Sequence, residues 1–416
     1  MPDILDTLCI VCGSSDLAAL VELTDIPAVA NQLLDSSTEA RQVAMADIRL
    51  VGCRHCGHVF NAAFDLARVV YDGHYENSLM GSPRYRRFTE EIIDRLLSAH
   101  DLAGGTAVEV GCGRGEFLRM LCRRGLHQGI GFDPCRPDSQ ETIGDATITI
   151  IGDVFVPSRA PDTADIVCSR HVLEHLPEPV ELLRTVREAY ASSPAKVVFL
   201  EVPNGGFMLE ELGVWDPLYE HVSYFTASSL AHALRLAGFV PGPIQAVFGK
   251  QFLTAEAAFP ASDQRRAALV SAEAWAFDGF GDRFATTVQA WRDWLQLARQ
   301  QGRRLALWGA GAKGITFLNV LDRSEDRAVA QVVDINPLKA GAFIAGTGHP
   351  IVLPAALQEH RPDMVLVMNP EYESEIRQTL DGLGLDVELV AISGRMPPTA
   401  AESSQWLPPR RKAAGR

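Results

Sequence analysis

From Thr106 onward, short apolar runs alternate with stretches of helical length. Ala107 to Val110, Gly129 to Phe132, Ile148 to Ile151, Ile166 to Cys168 and Val197 to Leu200 are separated by segments such as Glu178 to Tyr190, which is amphipathic. This alternation is that of a parallel sheet covered by helices. A second alternation, through Leu305 to Trp308, Val332-Val333 and Met364 to Met368, predicts a second, smaller α/β unit. Between the two, Trp275, Phe277, Phe284, Val288, Trp291, Trp294 and Leu297 recur at roughly helical spacing within residues 262–301 and predict one or two connecting helices. At 416 residues the chain is too long for one ordinary core.

The cysteines set off a further unit. Cys9, Cys12, Cys53 and Cys56 form two C-x-x-C pairs, while the other four cysteines lie between Cys112 and Cys168. Each C-x-x-C turn places two thiolates on one side of an ion, so two turns complete a tetrahedral shell. A closed four-sulfur shell leaves no open position, which predicts a structural zinc. His55 and His58 are expected to stay outside it as surface or neighbouring groups. Free or redox-active thiols are the competing reading, and disulfides suit a secreted protein better than the cytosolic one that the N-terminus implies.

The net charge of 38 − 52 = −14 lacks the basic excess of a nucleic-acid binder. No run approaches the roughly 20 apolar residues of a membrane span. Neither nucleic acid nor a membrane is therefore an expected partner.

Chemistry concentrates in three places. The first is Val108-Glu109-Val110-Gly111-Cys112-Gly113-Arg114-Gly115, which follows the first apolar run and opens a helix. Its glycines permit close backbone approach to a ligand at the carboxyl end of the strand. Asp133 ends the next strand, where a carboxylate can accept both hydroxyls of a ribose, and Asp153 ends the third. No Lys-Ser/Thr follows the loop, which disfavours a P-loop. The second place is Trp215 to Thr226, where Tyr219, Glu220, His221 and Tyr224 gather before a helix starting near Ala227. A neutral imidazole with oriented neighbours can take a proton at physiological pH. The third is Gly309-Ala310-Gly311-Ala312-Lys313-Gly314, a turn fit to bind a diphosphate, followed by Asp334.

The first loop resembles motif I of the class I S-adenosylmethionine (SAM) methyltransferases. That resemblance implies that Glu109, Gly111, Gly113, Gly115, Asp133, Asp153 and His171 surround SAM. The segment Ser169 to Leu176 is similar to the part of that superfamily that closes over the cofactor. A dinucleotide-binding Rossmann domain is the main rival.

Taken together, the parts resemble the three-domain, zinc-containing sugar C-methyltransferases, which act on nucleoside-diphosphate-linked keto-deoxysugars. The paired C-x-x-C, the Glu220-His221-x-Ser223-Tyr224-Phe225 run, the Gly309 to Gly314 loop and Val333 to Lys339 carry the resemblance. It implies an α/β fold: a zinc-binding domain over 1–72, a class I methyltransferase domain over 73–261, and connecting helices and a Rossmann-like domain over 262–395; the prolines and basic cluster that follow predict a disordered tail over 396–416. It implies His221 as the base, Glu220, Tyr75 and Tyr219 as its catalytic companions, and Lys313, Asn204 and Tyr224 as acceptor contacts. Where the family usually has a tyrosine two residues before the glutamate, this chain has Leu218. The readings that compete are a methyltransferase of a non-sugar small molecule, a zinc-containing scaffold without catalysis, and an NAD-dependent oxidoreductase.

Overall fold

The computed structural model describes residues 7–70, 75–260, 275, 277–324, 326–392 and 397. The expected tail over 396–416 lies outside them apart from Pro397, as does the stretch 261–274 before the connecting helix.

The N-terminal unit is built on β1 (Leu17–Pro27), the short helix α1 (Ser37–Arg41), β2 (Met45–Cys53) and β3 (Val59–Asn61). β1, β2 and β3 form an antiparallel meander. Its fourth strand comes from far along the chain, as described below.

The central unit opens with α2 (Pro83–His100), whose N-cap Ser82 accepts a bond from the Tyr85 N–H. β4 (Thr106–Val110), α3 (Glu116–Arg123), β5 (Gln128–Phe132), β6 (Ser139–Ile143), β7 (Ala146–Ile151) and β8 (Ile166–Arg170) follow. Then come α4 (Pro179–Ala189), β9 (Val197–Pro203), α5 (Gly205–Glu211), β10 (Ser223–Tyr224), α6 (Ala227–Leu236), β11 (Val240–Val247) and β12 (Phe252–Ala258). The eight-stranded sheet runs β11-β12-β9-β8-β4-β5-β7-β6. β4, β5, β7, β8 and β9 are parallel to their neighbours in this group, as the apolar runs predict. β6 at one edge, and β12 with the edge strand β11 at the other, are antiparallel, and the two edge strands carry no such signal: β6 reads Ser-Gln-Glu-Thr-Ile, and β11 contains Pro241, Gly242 and Pro243. Polar and proline-bearing strands are tolerated at edges, where one side of the ladder faces solvent.

Next, α7 (Phe280–Gln300) leads to β13 (Leu305–Trp308), α8 (Ala312–Leu321), β14 (Val329–Val333), β15 (Ile351–Val352), β16 (Met364–Val367), α9 (Glu373–Gly382) and β17 (Glu388–Ala391). The sheet order β15-β14-β13-β16-β17 is parallel throughout.

The units share structure. β10 pairs with β3, Ser223 opposite Phe60 and Tyr224 opposite Val59, so the segment after Glu220-His221 completes the N-terminal sheet. One apolar core runs from Ile48 and Leu50 through Trp215 and Tyr219 to Trp291 of α7 and Phe317 of α8. Trp291 meets Trp215 and Phe317 edge-on, at 6.2 and 5.8 Å between ring centroids. Among the described residues, no helix is long and apolar enough to cross a membrane.

Candidate active site and metal centre

The four N-terminal thiols converge as their spacing predicts. Cys9 Sγ lies 3.6 Å from Cys56 Sγ and Cys12 Sγ 3.5 Å from Cys53 Sγ, and all four sulfurs fall within 4.8 Å of one another. Metal–sulfur bonds of about 2.3 Å in a tetrahedron require sulfurs about 3.8 Å apart, so the cluster fits such an ion. Each C-x-x-C is followed by a left-handed glycine, Gly13 (φ 73°) and Gly57 (φ 76°), whose N–H donates back to the first cysteine's carbonyl. A side chain at either position would be strained. No cysteine is disulfide-bonded. His55 is at the surface, but His58 is fully buried between Phe60 and Phe225 rather than exposed, and its imidazole is held neutral by that burial.

The glycine loop follows β4 at the carboxyl edge of the central sheet. The Gly113 N–H donates to Asp133 Oδ2 (2.8 Å) and the Cys135 N–H to Oδ1 (2.9 Å), so the acid ending β5 fixes the loop. A Cβ on Gly113 would meet nothing within 4 Å, which leaves open space in front of its backbone. Glu109 is buried, its carboxyl is pushed up to about 8 by that burial, and Oε2 has no hydrogen-bond partner among the described residues. An orphaned buried oxygen, open glycine backbone and a second-strand acid fit a ligand bearing an ammonium group and a ribose. Asp153 is engaged by Arg159 and by the Val154 N–H (2.7 Å). Asp133→Ala is expected to weaken SAM binding by about 1–3 kcal/mol, the cost of leaving buried polar groups unpaired. Calorimetry checks this, and unchanged affinity would refute the placement.

The loop carrying His221 is closed by Tyr224, whose hydroxyl accepts from the Leu218 N–H (2.8 Å) and donates to the Leu218 carbonyl (2.9 Å). Thr226 then caps α6 in a reciprocal pair with Ser229. His221 is thereby presented from a short, backbone-fixed loop. No hydrogen bond among the described residues occupies its ring nitrogens, and burial, then the charges of His175 and His171, hold its pKa well below the ordinary imidazole value. Its ring lies perpendicular to that of His175, centroids 4.7 Å apart, and His175 Nδ1 donates to the Glu220 carbonyl (3.1 Å). The short turn Leu173–His175 lies between His221 and the glycine loop: its predecessor Val172 stands where a Cβ on Gly111 would be, at 2.2 Å.

The residues expected beside His221 take part in hydrogen bonds within the chain. The Glu220 carboxylate accepts from the Ala30 N–H (3.1 Å) and from the Tyr75 hydroxyl, which is kept protonated by burial and by Glu220. Tyr219 points into the N-terminal unit, where its hydroxyl accepts from the Asp65 N–H (2.8 Å) and its ring stacks on Phe64. Asn204 caps α5 through the Gly206 N–H (3.0 Å) and donates to the Lys250 carbonyl (2.8 Å). Asn204, Tyr219 and Tyr224 thus each fix backbone of the chain itself. His171, at a left-handed φ of 54°, bonds Glu201 (2.8 Å) and approaches Glu174 (3.4 Å).

The third loop faces the central unit. Lys313 at the start of α8 bonds Asp216 (3.0 Å) and Gln251 (2.9 Å). Asp334 accepts from the Ala310 N–H (2.9 Å), repeating the relation of Asp133 to Gly113. Glu76, 2% exposed, ties the site together, bonding Arg114 of the glycine loop (2.8 Å) and Asn336 after β14 (3.2 Å). Sequence reasoning missed Glu76, Glu174 and Glu201. The signal for Glu201 was an acid near the carboxyl end of an apolar strand; Glu174 lay inside the Ser169 to Leu176 segment without standing out in it, and nothing local pointed to Glu76.

A methyltransferase-domain family model matches residues 82–241, and a model described as a C-methyltransferase C-terminal domain matches residues 257–385. No curated protein matches the chain. Among solved structures, the chain is similar to magnesium protoporphyrin IX methyltransferase from Synechocystis PCC 6803 with bound SAH, at 15% identity over 42% of this chain and 84% of that one, with a TM-score of 0.33. It is similar to 1,6-didemethyltoxoflavin-N1-methyltransferase from Burkholderia thailandensis at 16% identity, over 44% of this chain and 83% of that one, with a TM-score of 0.33. An S-adenosylmethionine dependent methyltransferase from Mesorhizobium loti gives 17% identity, 40% and 96% coverage, and a TM-score of 0.31. The glycine loop and Asp133 thus lie inside a segment that matches a methyltransferase domain, and the Gly309 turn inside one that matches a C-methyltransferase C-terminal domain.

Proposed function

We propose that the protein methylates a carbon of a nucleoside-diphosphate-linked keto-deoxysugar, with His221 as the base. The observation that carries this reading is His221 itself, a neutral imidazole with no hydrogen bond on its ring, one short turn from the glycine loop. Carbon beside a ketone becomes a nucleophile only on losing a proton, so such a reaction needs a base in that position. His221 takes the proton from the carbon next to the ketone, and the enolate carbon then forms the new bond. SAM, when bound, supplies the methyl group as an electrophile on a sulfonium.

Glu109 and Asp133 are the residues to hold its ammonium and ribose. Glu220 fixes Tyr75 and the Ala30 backbone, and so shapes the wall of the acceptor site. Lys313, with the backbone of the Gly309 turn, is suited to a diphosphate, which would compete with Asp216 for the ammonium. The four-cysteine cluster holds zinc in a structural role.

Leu218 supports a second reading, a non-sugar acceptor in natural-product biosynthesis, because the tyrosine usual at that position in the family is missing. One experiment separates the two. Incubation with methyl-¹³C SAM and a panel of nucleoside-diphosphate 4-keto-deoxysugars is expected to give a labelled methyl bonded to carbon next to the ketone. Label on oxygen or nitrogen, or on no sugar, would reject the proposal.

A further inference from the structure

The carboxylate that faces His221 is Glu174, which neither the sequence motifs nor the resemblance singles out. We propose that Glu174 is a positioning residue for the base, the last fixed charge of an alternating row that steadies the imidazolium formed when His221 takes the acceptor proton. This inference rests on the reading of His221 as the base.

The row begins at Arg170. Its Nη2 lies 3.1 Å from Glu201 Oε1, which lies 2.8 Å from His171 Nε2, and His171 Nδ1 lies 3.4 Å from Glu174 Oε1. Side-chain exposures of 7% for Arg170, 0% for Glu201 and 1% for Glu174 place these charges out of water, where each must be paired. Burial opposes charge on His171, but the nearby Glu174 carboxylate and the bond to Glu201 prevail and raise its pKa to about 9. The signs therefore run plus, minus, plus, minus. The row ends beside His221: the ligand atoms of Glu174, His175 and His221 all lie within 4.8 Å of one another.

Two features say that the row is unfinished at this end. Both Glu174 oxygens are buried and lack a hydrogen-bond partner among the described residues, although His171 supplies a charge. A buried carboxylate in this state is built to accept one more proton donor. The base, for its part, has the opposite need. The groups around His221 are the His175 ring at 4.7 Å, the Tyr224 ring at 6.3 Å, the charge of His171 and Glu174. The histidines and burial all disfavour a charged His221, and Glu174 is the neighbour that favours one. On proton transfer His221 becomes the fifth member of the row, with the sign that the alternation calls for.

The test is Glu174→Gln in the full-length, metal-loaded protein, with a nucleoside-diphosphate 4-keto-deoxysugar deuterated at the carbon next to the ketone. An opposite charge at this range moves a titration midpoint by about one to three pH units, so proton abstraction should slow about tenfold to a hundredfold. The expected result is a fall in kcat and in solvent exchange of the acceptor proton by that factor, a larger deuterium isotope effect on kcat, and unchanged Kd for SAM. Glu174→Asp, which keeps the charge, should recover part of the rate and stands in if the glutamine variant does not fold. Exchange at the wild-type rate, or a loss of turnover with an unchanged isotope effect, overturns the proposal. So does a second equivalent of bound metal that vanishes in Glu174→Gln, because the three residues would then be ligands. His221→Asn separates the failures: if it retains turnover, the base assignment itself is wrong, whatever Glu174 does.

Discussion

His221→Ala is expected to lower carbon methylation by roughly 10²–10⁴-fold, the usual contribution of a positioned general base. SAM binding should survive, because the groups suited to the cofactor, Glu109, Gly113 and Asp133, sit on β4, β5 and the loop between them, while His221 belongs to the Leu218–Tyr224 loop. The loop should also survive, since Tyr224 closes it through the Leu218 backbone and makes no use of the imidazole. Exchange of the acceptor C–H for deuterium should disappear together with turnover. A variant that still exchanges and methylates at near-normal rates would remove the base from the mechanism, and His171 and Tyr75 would be examined next.

Stripping the metal from the cysteine cluster, or replacing Cys53 by serine, is expected to abolish both the N-terminal fold and methylation. Structural zinc is worth roughly 10–16 kcal/mol of apparent binding energy in small cysteine sites, and that energy is folding energy. The loss should reach the active site because the elements are joined. Cys53 ends β2, β2 pairs with β3, and β3 pairs with Ser223 and Tyr224, which follow His221 by two and three residues. Metal analysis should find one equivalent per chain. In the stripped protein, amide exchange should quicken in β1 to β3 and at residues 223–224. A metal-free protein that is folded and fully active would refute both the zinc and its coupling to catalysis.

Local patterns carried much of this protein. Buried apolar runs predicted the parallel strands β4, β5, β7, β8 and β9, and the C-x-x-C spacing predicted the four-sulfur cluster. The reason is range: a strand's burial, a chelating turn and a glycine loop are each specified within about ten residues, so the chain displays them before it folds. The edge strands β6 and β11 escaped because half-solvated strands need no apolar run.

What the local patterns left open was which partner each polar side chain of the Glu220-His221 loop would find. Sequence adjacency made Glu220 the natural companion of His221. In the folded chain the Ala30 N–H and the Tyr75 hydroxyl claim its carboxylate, and Glu174 comes to face the imidazole instead. Tyr219 was likewise adjacent to the site in sequence and is taken by the Asp65 backbone, 154 residues away. A buried donor or acceptor must be satisfied by whatever packing brings to it, and here packing joins segments more than a hundred residues apart. Chain order therefore named His221 and its loop, while the folded N-terminal unit supplied the partners that Glu220 and Tyr219 found.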